Sequence, residues 1–394
     1  MRFPSFLSFL SLPSLSRLQV QILQVFLMLI ILVHNTSTCL AGVWPLSEFG
    51  WQKNYLSLWG KIFEGGFQGG LFSSTDWKLI PLILLSTGYT AVAGFIILTA
   101  YGLSKRYQSE PLFFIPYFKR RLVYLFLPWC VIAIWMELLM VHAPSAREWL
   151  LNFSTLAIWV PHHQSLILGP WWFLAMIFQL YLIFPLLLKA HKKFGGLFLI
   201  FICLIQYVCQ VWVNPWTLSF GLNLNITPLA SLIPLSIGLF WASKNLSIGR
   251  LLIKQKLKKS KLFYKKTILI IIGIGLVFLF FMAQLSSYIW PFANSLLGVF
   301  LLGVGKIFFI SPNPNIPISH WLKHLTTLIV PVYLIHGYIY PFFYPYLMRP
   351  DLSFWVYMQC LIAIGLVTYL CAILVREIVR NLYDCGVKEA GSVS

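Results

Sequence analysis

His34 lies near the end of the first long apolar run, Leu18 to Leu40, in the stretch Leu-Met-Leu-Ile-Ile-Leu-Val-His-Asn. An imidazole at membrane depth is costly, so it faces a protein interior or a wet cavity. There it either bonds a neighbouring helix or carries chemistry. The chemistry that suits it at neutral pH is proton transfer. Glu137, in Trp-Met-Glu-Leu-Leu-Met, is the acid that falls inside an apolar run. A lone buried carboxylate must pair or protonate, and a His–carboxylate pair would orient an imidazole as a general base. Glu137 could equally pair with the membrane interface or with Arg147.

A second intramembrane histidine, His336, sits in Pro-Val-Tyr-Leu-Ile-His-Gly. The segment Tyr-Phe-Lys-Arg-Arg supplies Lys119, Arg120 and Arg121, and with Lys105 and Arg106 it makes a compact basic cluster at two helix ends. Clustered guanidinium and ammonium groups suit the phosphates of an anionic donor, although orientation in a membrane explains them almost as well. His162 and His163 are adjacent in a loop and suit a metal poorly without a third ligand. No Walker loop, GxGxxG, GxSxG or HExxH occurs. Trp172 and other span-end aromatics (Trp44, Trp51, Trp159, Trp171, Tyr338, Tyr340, Tyr344) read mostly as an interfacial belt, with stacking on sugar rings as the other use.

The elements that must position these groups are membrane helices. The 394-residue chain is 59% hydrophobic and 10% charged, with a mean hydropathy of +0.82. Soluble domains run near 45–50% apolar and about 25% charged. Ten apolar runs are long enough to span: roughly 18–40, 79–103, 122–141, 171–188, 196–213, 228–242, 267–283, 292–309, 325–345 and 353–375. The expected architecture is an all-α polytopic membrane protein of about ten transmembrane helices. It forms a single integral-membrane domain over 1–394, with a basic cytoplasmic loop at 243–266 and a cytoplasmic tail at 376–394. Of the 29 Lys and Arg residues, 24 fall on one set of loops and tails. That split puts both termini in the cytoplasm and accounts for the net charge of +19 without a nucleic-acid partner.

Several of these pieces, in order, resemble the acyltransferase 3 family of membrane O-acyltransferases. His34 matches that family's first-span histidine. Ala93-Gly94-Phe95-Ile96 followed by Lys105-Arg106 is similar to its second-span ending. Tyr117-Phe118-Lys119-Arg120-Arg121 leading to Pro128 looks like its Phe-x-x-Arg-Arg segment. The run from Gly169 to Leu187 is close to its Trp-Phe-Leu…Tyr-Leu…Pro-Leu helix, and Pro331 to His336 matches its late Tyr-Leu-Ile-His. Three positions depart from the pattern. Leu23 stands where the family often has an arginine, Ala93 replaces a serine, and Pro331 with apolar neighbours replaces Ser-Tyr.

The resemblance implies transfer of an acyl group, acetyl being the expected one, from cytoplasmic acetyl-CoA as co-substrate, with no tightly bound cofactor. The acceptor would be a hydroxyl of an extracytoplasmic glycan or lipid-linked sugar. His34 is then the expected base, and the reading of the residues adds Glu137 as its orienter. Lys119, Arg120, Arg121 and Arg106 would bind the donor, with Trp172 and His336 near the substrate. The membrane would be a bacterial inner membrane, and membrane lipid and polysaccharide-assembly proteins are the candidate partners. Two other classes fit the residues: a transporter or flippase for a polysaccharide or lipid-linked intermediate, and a catalytically silent scaffold. The missing internal repeat and the scarcity of intramembrane acids speak against the transporter.

Overall fold

The computed structural model describes residues 15–40, 87–109, 111–139, 145–162, 164, 171–243, 290–309, 320–347, 349 and 352–392. The expected span 267–283, the basic loop from 244 onward, His163 and the side chain of Glu137 lie outside the described residues. Among the described residues every regular element is a helix.

Local chemistry sets the helix starts. Helix α1 (Arg17–Leu40) opens on a capping box: Gln19 N–H donates to Ser16 Oγ (3.2 Å), and Ser16 N–H donates to Gln19 Oε1 (2.9 Å). Helix α2 (Thr87–Ser109) leads into α3 (Phe114–Arg121). A π-helical turn, Leu122–Phe126, then joins α3 to α4 (Leu127–Leu139). Pro128 has no N–H for the carbonyl four residues back, and the ladder shifts just before it, with Leu127 N–H bonding Leu122 O. The same device recurs beyond α5 (Ala146–Phe153), α6 (Trp171–Phe194) and α7 (Gly196–Val208). There the π turn Cys209–Val213 precedes α8 (Asn214–Leu218) with Pro215, and Asn214 N–H bonds Cys209 O. The remaining helices are α9 (Leu232–Ala242), α10 (Trp290–Phe309), α11 (His320–Ile339), α12 (Tyr344–Leu347) and α13 (Phe354–Ser392).

Helix α2 is central, packed by α1, α9 and α10. Its small residues explain this: backbones approach closely where side chains vanish. A Cβ on Gly298 of α10 would lie 3.0 Å from Gly94 N, and one on Gly238 of α9 would lie 2.7 Å from Ala100 Cβ. Helix α11 bridges α1 to α13 and α4. The contacts fix directions. His34 meets Gly88, Leu27 meets Gly94, and Leu15 N–H bonds the Tyr101 hydroxyl, so α1 and α2 are antiparallel. Thr90 meets Asn294 and Gly94 meets Gly298, so α2 and α10 are parallel. The bundle therefore has a histidine end (His34, Gly88, His336) and a basic end (Arg17, Arg106, Lys192). Two hydrogen bonds pin α6 across it, Trp171 Nε1 to Leu334 O (3.5 Å) and Lys192 Nζ to Tyr107 O (2.8 Å). They lie 21 residues apart, about 32 Å at 1.5 Å per residue, which matches a hydrocarbon core of about 30 Å.

Among the described residues, five helices are long and apolar enough to cross a membrane: Arg17–Thr36, Trp171–Phe194, Gly196–Leu218, His324–Leu347 and Phe354–Asp384. The sequence leads one to expect ten. The third expected span is described as Leu122–Leu139, through the π turn, and the apolar stretch Pro228–Ala242 is shorter than the roughly 20 residues that crossing needs. Helix α2 carries polar and small residues because its neighbours are protein on several sides. Exposed Leu197, Ile200, Phe201 and Leu204 on α7 are the converse, an apolar surface suited to lipid.

Candidate functional site

His34 occupies a notch made by a missing side chain. It lies in the last turns of α1 and faces Gly88, in the first turn of α2. A Cβ on Gly88 would lie 2.7 Å from His34 Nδ1, and nearer still to Cγ and Cδ2. The residue is half-buried, and its Nδ1 is shut off from solvent.

The next residue, Asn35, reaches the other histidine. Asn35 Nδ2 stands 2.7 Å from His336 Nε2, and His336 Nδ1 is 2.6 Å from Tyr333 O. A carbonyl only accepts, so Nδ1 carries the proton and donates to it. Nε2 then offers its lone pair to the Asn35 amide. His336 is fully buried, at 0% exposure. A charged imidazolium would set an N–H against the amide's own donor, so this pairing holds the ring neutral. The structure thus brings both intramembrane histidines to one place, joined by an asparagine that sequence reasoning passed over.

Aromatic side chains wall the site. Phe173 packs on Tyr333 (5.1 Å between centroids) and on Phe95 (6.3 Å), and Tyr333 packs on His336 (5.3 Å). Trp172 meets Phe173 edge-on at 6.0 Å. Trp171 and Trp172 are buried, which corrects their reading as belt residues. Trp171 stands edge-on to Trp129 at 5.5 Å while its indole N–H reaches Leu334 O. Beside Ile335 and Ile339, a cavity of about 300 Å³ opens between α4, α11 and α13, lined by apolar groups such as Ile132 and Val367.

The expected orienter, Glu137, lies on α4, which packs on α11 and α13. Helix α11 also packs on α1, and it is His336 of α11 that meets the residue beside His34.

At the basic end the donor candidates gather on two helices. Tyr107 of α2 meets Tyr117 of α3 edge-on at 5.7 Å, and Lys192 of α6 caps the Tyr107 carbonyl. The Arg121 guanidinium lies 4.7 Å from the Tyr181 ring centre and 5.4 Å from that of Tyr117, a cation held by two π faces. Its Nε is buried and meets no hydrogen-bond acceptor among the described residues. Lys119 and Arg120 are exposed, and Arg106, also exposed, lies over Tyr107. Gly88 and Arg106 are 18 residues apart on α2, about 27 Å. The cations and the His34 notch therefore occupy opposite ends of the bundle.

In the loop, His162 has a left-handed backbone (φ 61°) and donates its N–H to Gly221 O at 3.0 Å, packing the loop onto the turn after α8. No group of three metal-ligating side chains occurs among the described residues. Two residues that matter here were not among the candidates read from the sequence. Gly88 is one glycine among 25. Asn35 could have been found as a polar neighbour of His34 in an apolar run.

A family model described as an acyltransferase domain matches residues 17–377. No curated protein and no solved structure matches the chain.

Proposed function

Because the chain belongs to the acyltransferase 3 family, we propose that it is a membrane O-acyltransferase moving acetyl from cytoplasmic acetyl-CoA to a hydroxyl of an extracytoplasmic glycan or lipid-linked sugar. The observation that carries this reading is the separation of two chemistries on one helix, with His34 against Gly88 at one end of α2 and cations at the other. Arg121, with a buried Nε in want of an acceptor, fits a donor phosphate. Arg120, Lys119 and Arg106 add charge at the same end. The donor then lies along the bundle with its thioester toward the histidines.

At His34, the neutral imidazole takes the proton of the acceptor hydroxyl as that oxygen attacks the thioester carbonyl. The tetrahedral intermediate collapses with loss of the CoA thiolate, and the imidazolium returns the proton to that sulfur. A hydroxyl is a poor nucleophile at neutral pH, and a positioned base contributes typically about 10²–10⁴-fold. Trp172 lines the same aromatic wall as Tyr333 and serves the acceptor side. In this reading ten spans cross a bacterial inner membrane with both termini inside. Helix α9 ends at the basic end and α10 begins at the histidine end.

The test is His34→Ala in the producing strain. The surface glycan should lose its ester acetate while polymer yield and protein level stay normal. Full acetylation would remove His34 from the chemistry. Loss of polymer with accumulation of a lipid-linked precursor on deletion of the gene would mean a transporter instead.

A further inference from the structure

We propose that His336 is a positioning residue, which acts through Asn35 to fix the roll of α1 and thereby keeps the His34 ring in the Gly88 notch. This inference rests on the assignment of His34 as the base. Apart from Thr36, whose hydroxyl donates to Leu32 O within the same helix, the buried face of α1 is apolar, built from Ile22, Leu23, Leu27, Met28 and Ile31. Apolar contact is non-directional, and in hydrocarbon it gives helices little drive to lock at one angle. A hydrogen bond is directional. Asn35 Nδ2 on His336 Nε2 at 2.7 Å ties α1 to α11 one residue away from His34. His336 is itself held: its Nδ1–H donates to Tyr333 O at 2.6 Å, its ring packs between Tyr333 (5.3 Å) and Tyr340 (6.4 Å), and it is fully buried.

The lever arm is short and the tolerance small. A helix with its side chains has a radius of about 5–6 Å, so a roll of about 10° carries a ring at its surface by about 1 Å. A displacement of that size at a reacting group costs on the order of 100-fold in rate. The Asn35 amide donates here, so the clamp needs an acceptor at the position of Nε2. The glutamine side chain supplies one at similar reach, and leucine does not.

The experiment is a double-mutant cycle read in membranes by transfer of radiolabel from acetyl-CoA into the glycan fraction. Asn35→Leu and His336→Leu should each lower kcat by about 100-fold, with the KM for acetyl-CoA unchanged. The double variant should lose no more than either single one, because both remove the same bond. His336→Gln should recover most of the rate, which a mere packing role would not give. Two strictly additive losses, a raised KM with unchanged kcat, or wild-type rates in the leucine variants would overturn the proposal. Nitrogen NMR of histidine-labelled protein in bilayers tests the clamp without activity. One neutral Nδ1–H ring should be present, lost in His336→Gln and shifted in Asn35→Leu. An unshifted ring in Asn35→Leu would refute the bond. His34→Ala is run in parallel: if transfer survives there, the base assignment fails, and the NMR result alone then decides the clamp.

Discussion

The Gly88→Ala substitution tests the placement of His34 most directly. A Cβ added there falls 2.7 Å from His34 Nδ1. Ordinary non-bonded contact is about 3.5–4.0 Å, so the imidazole or the whole of α1 must give way by about 1 Å or more. Overpacking of this kind costs about 1–3 kcal/mol of stability. The effect on rate should be larger, since a shift of about 1 Å at a reacting group is worth about 100-fold. The assay is label transfer from acetyl-CoA in membranes, with protein quantified by immunoblot and the melting temperature taken on purified protein. Gly102→Ala on the same helix is the control, because nothing lies within 4 Å of its added Cβ. It should keep full activity and gain up to about 1 kcal/mol from reduced backbone entropy. Wild-type kcat in Gly88→Ala, with the protein folded, would refute the reasoning that His34 works from this notch.

Four further substitutions have outcomes that follow from the packing. Arg121→Ala should raise the KM for acetyl-CoA by about tenfold to a hundredfold, the worth of a charged hydrogen bond of about 1.5–3 kcal/mol. Arg120→Ala should raise it less, because that side chain is exposed, and an unchanged KM in the double variant would return both residues to fixing orientation. Gly238→Ala places a Cβ 2.7 Å from Ala100 Cβ and 3.0 Å from Tyr101 N, at the crossing of α9 with α2. Thermal unfolding should show a loss of about 1–3 kcal/mol or more, while the KM for acetyl-CoA stays put. Ser145→Ala removes the capping box of α5, in which Glu148 N–H donates to Ser145 Oγ and Ser145 N–H to the Glu148 carboxylate, and should cost about 0.5–2 kcal/mol with no change in kcat.

Much of the fold was legible because membrane helices announce themselves locally. The five crossing-length helices all fall on expected spans. One expected span outside that set, α2, owes its composition to its neighbours. Helix α2 is central, and it trades apolar bulk for Gly88, Gly94 and Ala100 to let α1, α9 and α10 approach. Trp171 and Trp172 look like a belt in sequence, since belt and core tryptophans have the same composition and differ only in what surrounds them.

By itself the sequence determined that His34 and His336 are expensive. A polar ring in a run such as Leu-Met-Leu-Ile-Ile-Leu-Val needs a partner whatever the fold, because hydrocarbon offers none. It also determined the basic segments, since charge cannot rest in that medium. Only the tertiary structure decided who the partners are. Asn35 and His336 are 301 residues apart and meet because α11 packs on α1. Gly88 matters only because α2 runs antiparallel past His34 at that register. A hydrogen bond or a notch is a property of two helices at a fixed distance and angle, and no single stretch of chain carries that information.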